Sequence, residues 1–411
     1  MRMTRRDFLK LSAGVIATLS FGGTLLATEK GRDILRGEAD FKYRRRTPVL
    51  VVVQLSGGND GLNTVIPYGS GAYYDARPGL ALQQHEVLAL NETVGLHPAL
   101  AHLQQYYEQG KLAIIQGAGY PQPDYSHFRS MEIWQTAKPE ELHASGWLGR
   151  YIQSSLPEHQ LPAVQIGGFT NKAFSAPGIN VPSIESLGSF YALSSQIPAN
   201  DHKRMTSALM KIYQDKPEHE WLRISATQAL AAFQSMESVQ SMVSAYKSGV
   251  SYPKGSLASR LQLIAKLAAA KSGTRVYYVE LGGFDDHANE KEQHAGTLRE
   301  LDEALHAFYT DLQAQRLHRD VVTMVFSEFG RRLKENGSGG TDHGTAAPVF
   351  VLGGEVKGGL YGEYPSLAKL IHGDLKYEVD FRSVYYTLIE DWLGGDATST
   401  LGGSFEKLRF I

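Results

Sequence analysis

The run PVLVVVQL at residues 48–55 constrains the fold of this chain more than any other feature. A strand with one solvent-facing side would alternate apolar and polar residues, whereas this run is apolar almost throughout and rich in Val. It therefore predicts a strand that is buried on both faces, as in a parallel sheet covered by helices. Similar short runs predict further strands at residues 112–116, 164–166, 276–281, 321–326 and 349–352.

Helical patterns separate several of these predicted strands. The clearest lies at residues 294–315, where apolar side chains recur at spacings of three and four and form one stripe: Leu298, Leu301, Leu305, Phe308 and Leu312. Shorter patterns predict helices at residues 98–108, 126–136 and 381–393. Strands that alternate with helices in this way predict a doubly wound α/β fold with a mostly parallel central sheet and helices on both faces.

Two regions depart from this α/β pattern. Residues 1–27 contain Arg5-Arg6, then Phe8 and Leu9, then a weakly apolar stretch, which is typical of a twin-arginine export signal. Residues 171–273 begin rich in Pro, Ser and Gly and end in helical patterns at 224–246 and 257–270, so we interpret them as a mostly helical insertion. We expect a signal at 1–27, a polar lead-in at 28–47 and a single α/β domain at 48–411.

The export signal predicts a periplasmic or other extracytoplasmic location. Its end reads TLLA at residues 24–27, with Leu instead of Ala two positions before the final Ala, so cleavage of the signal stays open. We expect the protein to associate with a membrane only through its signal segment, if that segment stays uncleaved.

Charge and cysteine content exclude several kinds of partner and site. The 41 Lys and Arg nearly balance the 43 Asp and Glu, and no basic stripe is present, so we do not expect a nucleic-acid partner. The sequence contains no cysteine, which excludes disulfides and thiolate metal ligands. Any metal must be bound by Asp, Glu and His.

Polar clusters follow three of the predicted strands at the point where each strand ends. They are residues 56–61 (SGGNDG), 282–287 (GGFDDH) and 327–331 (SEFGR). In an open α/β sheet, ligands bind beyond the carboxyl ends of the strands, because loops and helix N-termini meet there. We therefore expect the functional site at this edge of the sheet.

Two Asp-His pairs are the candidate metal ligands. Asp285 and His287 lie on a glycine-flanked loop, and Asp342 precedes His343 in the glycine-rich stretch 337–344. Carboxylate and imidazole are ligands that zinc and manganese accept. Each pair alone is equally consistent with a polar turn and a solvated histidine. Both pairs and Glu328 would share one edge if strand 349–352 ran antiparallel to its neighbours, which the lack of a crossover helix before it favours.

Ser126 is the candidate nucleophile. It stands at the start of the predicted helix 126–136, where backbone N–H groups and the helix dipole favour an anionic substrate or an ionised hydroxyl. Arg129, one turn further on, is the candidate partner for a phosphate or sulfate oxygen. Ser is also a preferred N-cap for structural reasons alone, so that alternative stays open. His127 is either a third metal ligand or a supporting partner.

From about residue 48 to the C-terminus the chain resembles the exported bacterial proteins grouped as domain-of-unknown-function family 1501. The segments that carry the resemblance are LSGGNDGLN, LHPAL, YSHFRSMEIWQT, GGFDDHAN, FSEFGRR, GTDHGTAAPVFVLGG and VDFRSVY. The family is related to the alkaline phosphatase and sulfatase superfamily. This implies an alkaline-phosphatase-like α/β sandwich with a hydroxyl nucleophile at a helix N-terminus and one or two divalent metals.

Carried over by position, the resemblance implies that Ser126 is the nucleophile and that Asp285, His287 and His343 form one metal site. It implies a second site of Asp60, Glu328 and Ser126. Relatives often carry Asp-His where this chain has Glu328-Phe329, so we expect one metal site, for zinc or manganese, in preference to two. Asp342 is a supporting or alternative ligand.

These features together predict an exported metal-dependent hydrolase or transferase that acts on small phosphate esters, with sulfate esters less favoured. Residues 126–129 read SHFR and lack the Cys/Ser-x-Pro-x-Arg pattern of sulfatase nucleophiles. The alternative is a non-catalytic envelope protein that retains the fold with at most one structural metal, because a fold alone does not establish a function.

Overall fold

The computed structural model of the chain describes residues 47–157, 161–168, 170–179, 181–185 and 246–411, together with Arg204, Ser207, Ala208, Lys211 and Val243. The predicted signal, nearly all of the lead-in and most of the predicted insertion, including its helical pattern at 224–246, lie outside the described residues. No helix in the described ranges is long and apolar enough to cross a lipid bilayer.

The strands in these ranges are, in chain order, β1 (Val49–Leu55), β2 (Val65–Ile66), β3 (Leu88–Ala89), β4 (Gly95–Leu96), β5 (Leu112–Gly119), β6 (Ala163–Ile166), β7 (Ser183–Ile184), β8 (Val276–Leu281), β9 (Val321–Ser327), β10 (Arg331–Glu335), β11 (Thr341–His343), β12 (Ala347–Gly353), β13 (Gly359–Tyr361), β14 (Leu370–Ile371), β15 (Asp374–Leu375) and β16 (Val379–Asp380).

The helices are α1 (Gly61–Thr64), α2 (Gly71–Ala76), α3 (Ala101–Glu108), α4 (His127–Thr136), α5 (Trp147–Ser155), α6 (Ser256–Ala269), α7 (Glu290–Ala314), α8 (Phe381–Thr387) and α9 (Ala397–Leu401). A 3₁₀ turn at Lys172–Phe174 and a π-helical turn at Leu388–Leu393 complete the described elements.

A nine-stranded sheet forms the centre of the molecule. Its order is β13-β5-β12-β9-β1-β8-β6-β7, and β16 also pairs with β5. All of these pairings are parallel except those of β12, which runs antiparallel to both β5 and β9. The predicted α/β fold with a mostly parallel sheet and the predicted reversed direction of strand 349–352 are therefore confirmed.

The register of the central strands places their carboxyl ends side by side. Leu55 at the end of β1 lies opposite Leu281 of β8 and Ser327 of β9. Because β12 runs the other way, its N-terminal end lies at this same edge. The loops after β1, β8 and β9 and the segment before β12 therefore converge.

Different helices cover the two faces of β1, and all seven of its residues are buried. Val51 and Val53 belong to a core that includes residues of α6 and α7, while Leu50 and Val52 pack in a core that includes Trp134 and Tyr385. Burial on both faces explains why the strand has no polar alternation.

Helix α7 confirms the predicted stripe but begins at residue 290, four residues before the predicted start at 294. Leu298, Leu305 and Leu312 are all buried. The first turn starts at Glu290, whose N–H donates to the Gly339 carbonyl. That turn is polar, so its helical state depends on a contact with a distant loop and not on periodicity.

Candidate metal centre

Three side chains from different loops meet at the sheet edge. His127 is the first residue of α4, Asp285 lies in the loop after β8, and His343 is the last residue of β11. One ligand atom from each lies within 4.8 Å of the other two.

One oxygen of Asp285 lies at the centre of this cluster. Its Oδ1 is 3.4 Å from His127 Nε2, 3.3 Å from His343 Nε2 and 3.0 Å from His287 Nε2. The Nε2 atoms of His287 and His343 are 3.0 Å apart. The structure therefore brings together Asp285, His287 and His343 and adds His127.

Hydrogen bonds on the outer side of the cluster orient two of the imidazoles. His343 Nδ1 donates to the Tyr125 carbonyl oxygen over 2.7 Å, and His127 Nδ1 donates to Glu328 Oε1 over 2.8 Å. Carbonyl and carboxylate oxygens only accept, so the proton of each neutral ring sits on Nδ1. The Nε2 lone pairs are left to face Asp285, the arrangement in which metal-binding histidines are held.

The distances suit a small divalent ion. Ligands about 2.0–2.2 Å from a tetrahedral zinc lie roughly 3.3 Å from one another, close to the separations between Asp285 Oδ1 and the three Nε2 atoms. His127 Nε2 is buried and makes no hydrogen bond. Histidine and carboxylate donors with an unpartnered buried nitrogen fit zinc or manganese.

Arg331 holds Asp285 in its ionised form. The Arg331 guanidinium is buried and its Nη2 donates to Asp285 Oδ1 over 2.8 Å. Further donations to the carbonyls of Gly58, Phe284 and Thr341 fix its position. Burial alone would raise the pKa of Asp285, but the hydrogen bond and charge of Arg331 outweigh it and lower the pKa to about 2.

The two outer histidines have opposite tendencies to bind a proton. The hydrogen bond to Glu328 raises the pKa of His127, although burial opposes it. Burial lowers the pKa of His343. His343 is therefore readily neutral with a free Nε2, whereas a metal at His127 competes with a proton.

Glycines let the loops approach closely. Gly57 has a φ of +120°, and a Cβ there would lie 2.4 Å from the Asp285 nitrogen. A Cβ at Gly340 would lie 2.4 Å from the His287 carbonyl carbon. Any side chain at either position would push apart the loops that carry the cluster.

Glu328 and Asp342 surround the cluster without entering it. Glu328 Oε1 accepts from His127 Nδ1 and the Gly57 N–H, and its Oε2 accepts from Ser327 Oγ. Asp342 is exposed, and its Oδ1 lies 3.6 Å from His287 Nδ1. In place of the predicted ligand role, the geometry makes Glu328 the partner that orients His127. Asp342 lies beside His287, in the supporting position of its two predicted roles.

Asp60, predicted as a ligand, is used elsewhere. Both of its oxygens accept from Arg77, and its Oδ1 also accepts from the Leu62 N–H at the start of α1. Burial would raise the pKa of Asp60, but Arg77 outweighs it and lowers the pKa. With its charge neutralised and its oxygens occupied, Asp60 is unsuited to the predicted second metal site.

Arg129 does not take the predicted role either, and Ser126 lies at the margin. Arg129 donates to Glu132 and to the Pro139 carbonyl, which ties it to its own helix and the following loop. Ser126 is the N-cap residue of α4, as predicted, but its side chain is exposed and makes no capping hydrogen bond.

An open cleft of about 670 Å³ lies beside the cluster. Its lining includes Ser56, His127, Phe128, Lys172, Asp285 and Glu328, whereas Ser126 is not part of it. A second cleft of about 500 Å³ on the other side is lined by Tyr125, His287, Arg332, Asp342, His343 and His372. The cluster is thus reachable by a small molecule from two sides.

Comparison with known proteins identifies one family and several solved structures of low similarity to this chain. No curated protein matches the sequence. Solved structures that resemble the chain include a protein in the alkaline phosphatase superfamily from Vibrio parahaemolyticus, with a TM-score of 0.38 and 10% identity over 98% of this chain and 78% of that chain. A 2-O GAG sulfatase has a TM-score of 0.38 and 9% identity over 88% and 76% of the two chains. The PsFucS1 sulfatase from Pseudoalteromonas sp. has a TM-score of 0.35 and 11% identity over 98% and 72%.

The family model gives a firmer assignment, because it covers most of the chain. It spans residues 48–387, from the start of β1 to the end of α8, and includes every residue of the cluster. The chain belongs to the family described as protein of unknown function (DUF1501).

Proposed function

We propose that this protein is an exported metal-dependent hydrolase or transferase of small anionic esters, with phosphate esters preferred over sulfate esters. The observation that carries the proposal is the convergence of His127, Asp285 and His343 on one point beside an open cleft. The twin-arginine pattern at residues 1–27 supports export. Because that route carries proteins that are already folded, often with a cofactor, it also favours a bound metal.

The cluster residues would hold one divalent ion, with His287 as a fourth donor. When bound, such an ion supplies Lewis-acid polarisation of an ester oxygen. Arg331 keeps Asp285 ionised, which leaves its half-exposed carboxylate able to bind a cation as a ligand. Phe329 packs against the rings of His127 and His343, at centroid distances of 4.9 and 4.8 Å, and shields one side of the cluster from water.

The cleft also offers a positive charge for an anionic substrate. Lys172 lines it and is one-third exposed, with its Nζ 3.3 Å from Glu132 Oε1. An incoming phosphate group would compete with Glu132 for the Lys172 ammonium, and Glu132 would keep its ion pair with Arg129. Ser126 remains the candidate nucleophile from the resemblance.

The second candidate function is a non-catalytic envelope protein with at most one structural metal. The packing of Phe329 on two of the histidines favours it, because an aromatic ring fills space next to the cluster that a second metal and its ligands would need. Turnover of an ester separates the two candidates.

The test uses the full-length, natively exported protein and compares His343→Ala with the matched control His85→Ala, an exposed histidine far from the cluster in sequence. We expect about one zinc or manganese per chain in wild type and control and a loss of metal in His343→Ala. Hydrolysis of p-nitrophenyl phosphate should disappear with the metal. Metal without turnover of phosphate or sulfate esters would favour the structural role, and absence of metal from the wild type would reject the metal-dependent hydrolase.

A further inference from the structure

A second serine, Ser56, lines the cleft beside the cluster. It directly follows β1, and its Oγ lies 2.6 Å from Glu280 Oε1. The lining also contains His127 and Asp285, so Ser56 faces the same space as the candidate metal ligands. The Ser56 hydroxyl therefore shares the cleft with the cluster, and the Glu280 carboxylate is its hydrogen-bond partner.

The register of the sheet creates the Ser56–Glu280 contact. Gln54 of β1 lies opposite Glu280 of β8, and residues two apart on a strand share a face. On this face of β1 the buried row of Leu50 and Val52 becomes polar at Gln54 and Ser56, where the strand reaches the cleft.

A chain of hydrogen bonds determines where the Ser56 proton points. The side-chain oxygen of Gln54 accepts from Gln135 Nε2 over 3.0 Å, from Asn171 Nδ2 over 3.2 Å and from the Tyr278 hydroxyl. With its oxygen satisfied by three donors, Gln54 presents Nε2 to Ser56 and donates to Oγ over 2.7 Å. Ser56 donates its one hydroxyl proton to Glu280, because a carboxylate only accepts.

We propose that Ser56 is the nucleophile of this cleft and Glu280 its general base. The inference rests on the proposed ester hydrolysis and names the residues that perform it. A hydroxyl is a weak nucleophile until a base within hydrogen-bond reach takes its proton, and the Ser56–Glu280 distance meets that requirement.

The two half-reactions balance with water as the only co-reactant. In the first, Ser56 Oγ forms a bond to phosphorus and its proton passes to Glu280, while the bond to the leaving oxygen on the opposite side breaks and that oxygen takes a proton from solvent water. In the second, a water oxygen bonds to phosphorus from that opposite side and releases a proton to solvent, while the Oγ–phosphorus bond breaks and Oγ regains its proton from Glu280.

Ser126 is less suited to this role in the same cleft. Its side chain is exposed, it is not among the residues that line the cleft, and the structure gives its hydroxyl no carboxylate or imidazole partner. By contrast, Ser56 is partly buried and its hydroxyl has both a donor and an acceptor.

The test is covalent labelling of the full-length protein with diisopropyl fluorophosphate, followed by peptide mass mapping. The reagent forms an Oγ–phosphorus bond with an activated serine and releases fluoride, so it requires no knowledge of the natural substrate. We expect label on the peptide that contains Ser56, none on that peptide in Ser56→Ala, and labelling about 100-fold slower in Glu280→Gln, which keeps an acceptor but removes the base.

Ser259→Ala, which changes an exposed serine of α6, is the matched control and should label like the wild type. Metal content is measured in every variant and should be unchanged in Ser56→Ala and Glu280→Gln. Label on Ser126, or no label on any serine, would overturn the assignment even if the metal is present. Label at Ser56 in a protein without metal would instead reject the metal-dependent function and leave the pair of residues standing.

Discussion

The buried ion pair between Asp60 and Arg77 makes the sharpest prediction about the scaffold beneath the cluster. Both side chains are almost completely buried, at 2% and 0% exposure. Replacement of Arg77 by Met retains most of the volume but leaves the Asp60 carboxylate buried without a counter-charge. It also removes donations to the carbonyls of Arg332 and Leu333.

The expected cost follows from that geometry. Removal of one partner of a buried ion pair costs about 3–5 kcal/mol, against a total free energy of unfolding of about 5–15 kcal/mol for a typical domain. We therefore expect Arg77→Met to lose a large part of its stability in urea-induced unfolding at pH 7. Arg299→Met, on the exposed side of α7, should change the free energy of unfolding by no more than about 0.5 kcal/mol.

A variant of Asp60 itself tests whether this residue is structural or a metal ligand. Asp60→Asn keeps the oxygen that accepts from the Leu62 N–H, so the helix start should survive while the ion pair is lost. If Asp60 is structural, the folded fraction of Asp60→Asn retains its full metal content. A loss of metal at unchanged stability, or a cost of less than about 1 kcal/mol for Arg77→Met, would refute this reasoning and restore Asp60 as a ligand.

Three further predictions concern the elements around the cluster. Burial and the charge of Asp60 raise the pKa of Glu290 to about 9, so the stability that protonated Glu290 contributes should be lost as the pH rises from about 4, where an unfolded Glu ionises, towards 9. In thermal unfolding, the stability of the wild type relative to Glu290→Gln should therefore fall over this range. Gly340→Ala should weaken zinc binding in a competitive chelator titration, because its Cβ would meet the backbone of His287, while an alanine at the open, exposed Gly337 should not. Leu305→Ala, in the buried stripe of α7, should lower the free energy of unfolding by about 2–5 kcal/mol in urea titration without a change in metal content. Equal zinc affinity in the two glycine variants, or a stability difference between wild type and Glu290→Gln that does not change with pH, would contradict the corresponding argument.

Local pattern was sufficient for the elements whose state depends on their own burial. The run at residues 48–55 predicted β1 because a strand buried on both faces must be apolar throughout, and the stripe from Leu298 to Leu312 predicted most of α7 because helical periodicity is local. The first turn of α7 and the hairpin β10–β11 escaped prediction, since their polar residues are held by contacts with distant loops. That hairpin places His343 opposite Arg331.

The sequence by itself determined the class of the fold, the edge at which polar loops gather, and the kinds of metal ligand available to a chain without cysteine. Tertiary structure decided which of these ligands lie close to one another. Asp60 and Asp285 both follow a buried strand in a Gly-rich loop and both accept from an arginine. Asp60 is buried with both oxygens bonded to Arg77, whereas Asp285 is half exposed and three imidazoles surround it. Partners remote in sequence determine whether a carboxylate is a structural counter-charge or a ligand, and the local composition does not encode which partners come near it.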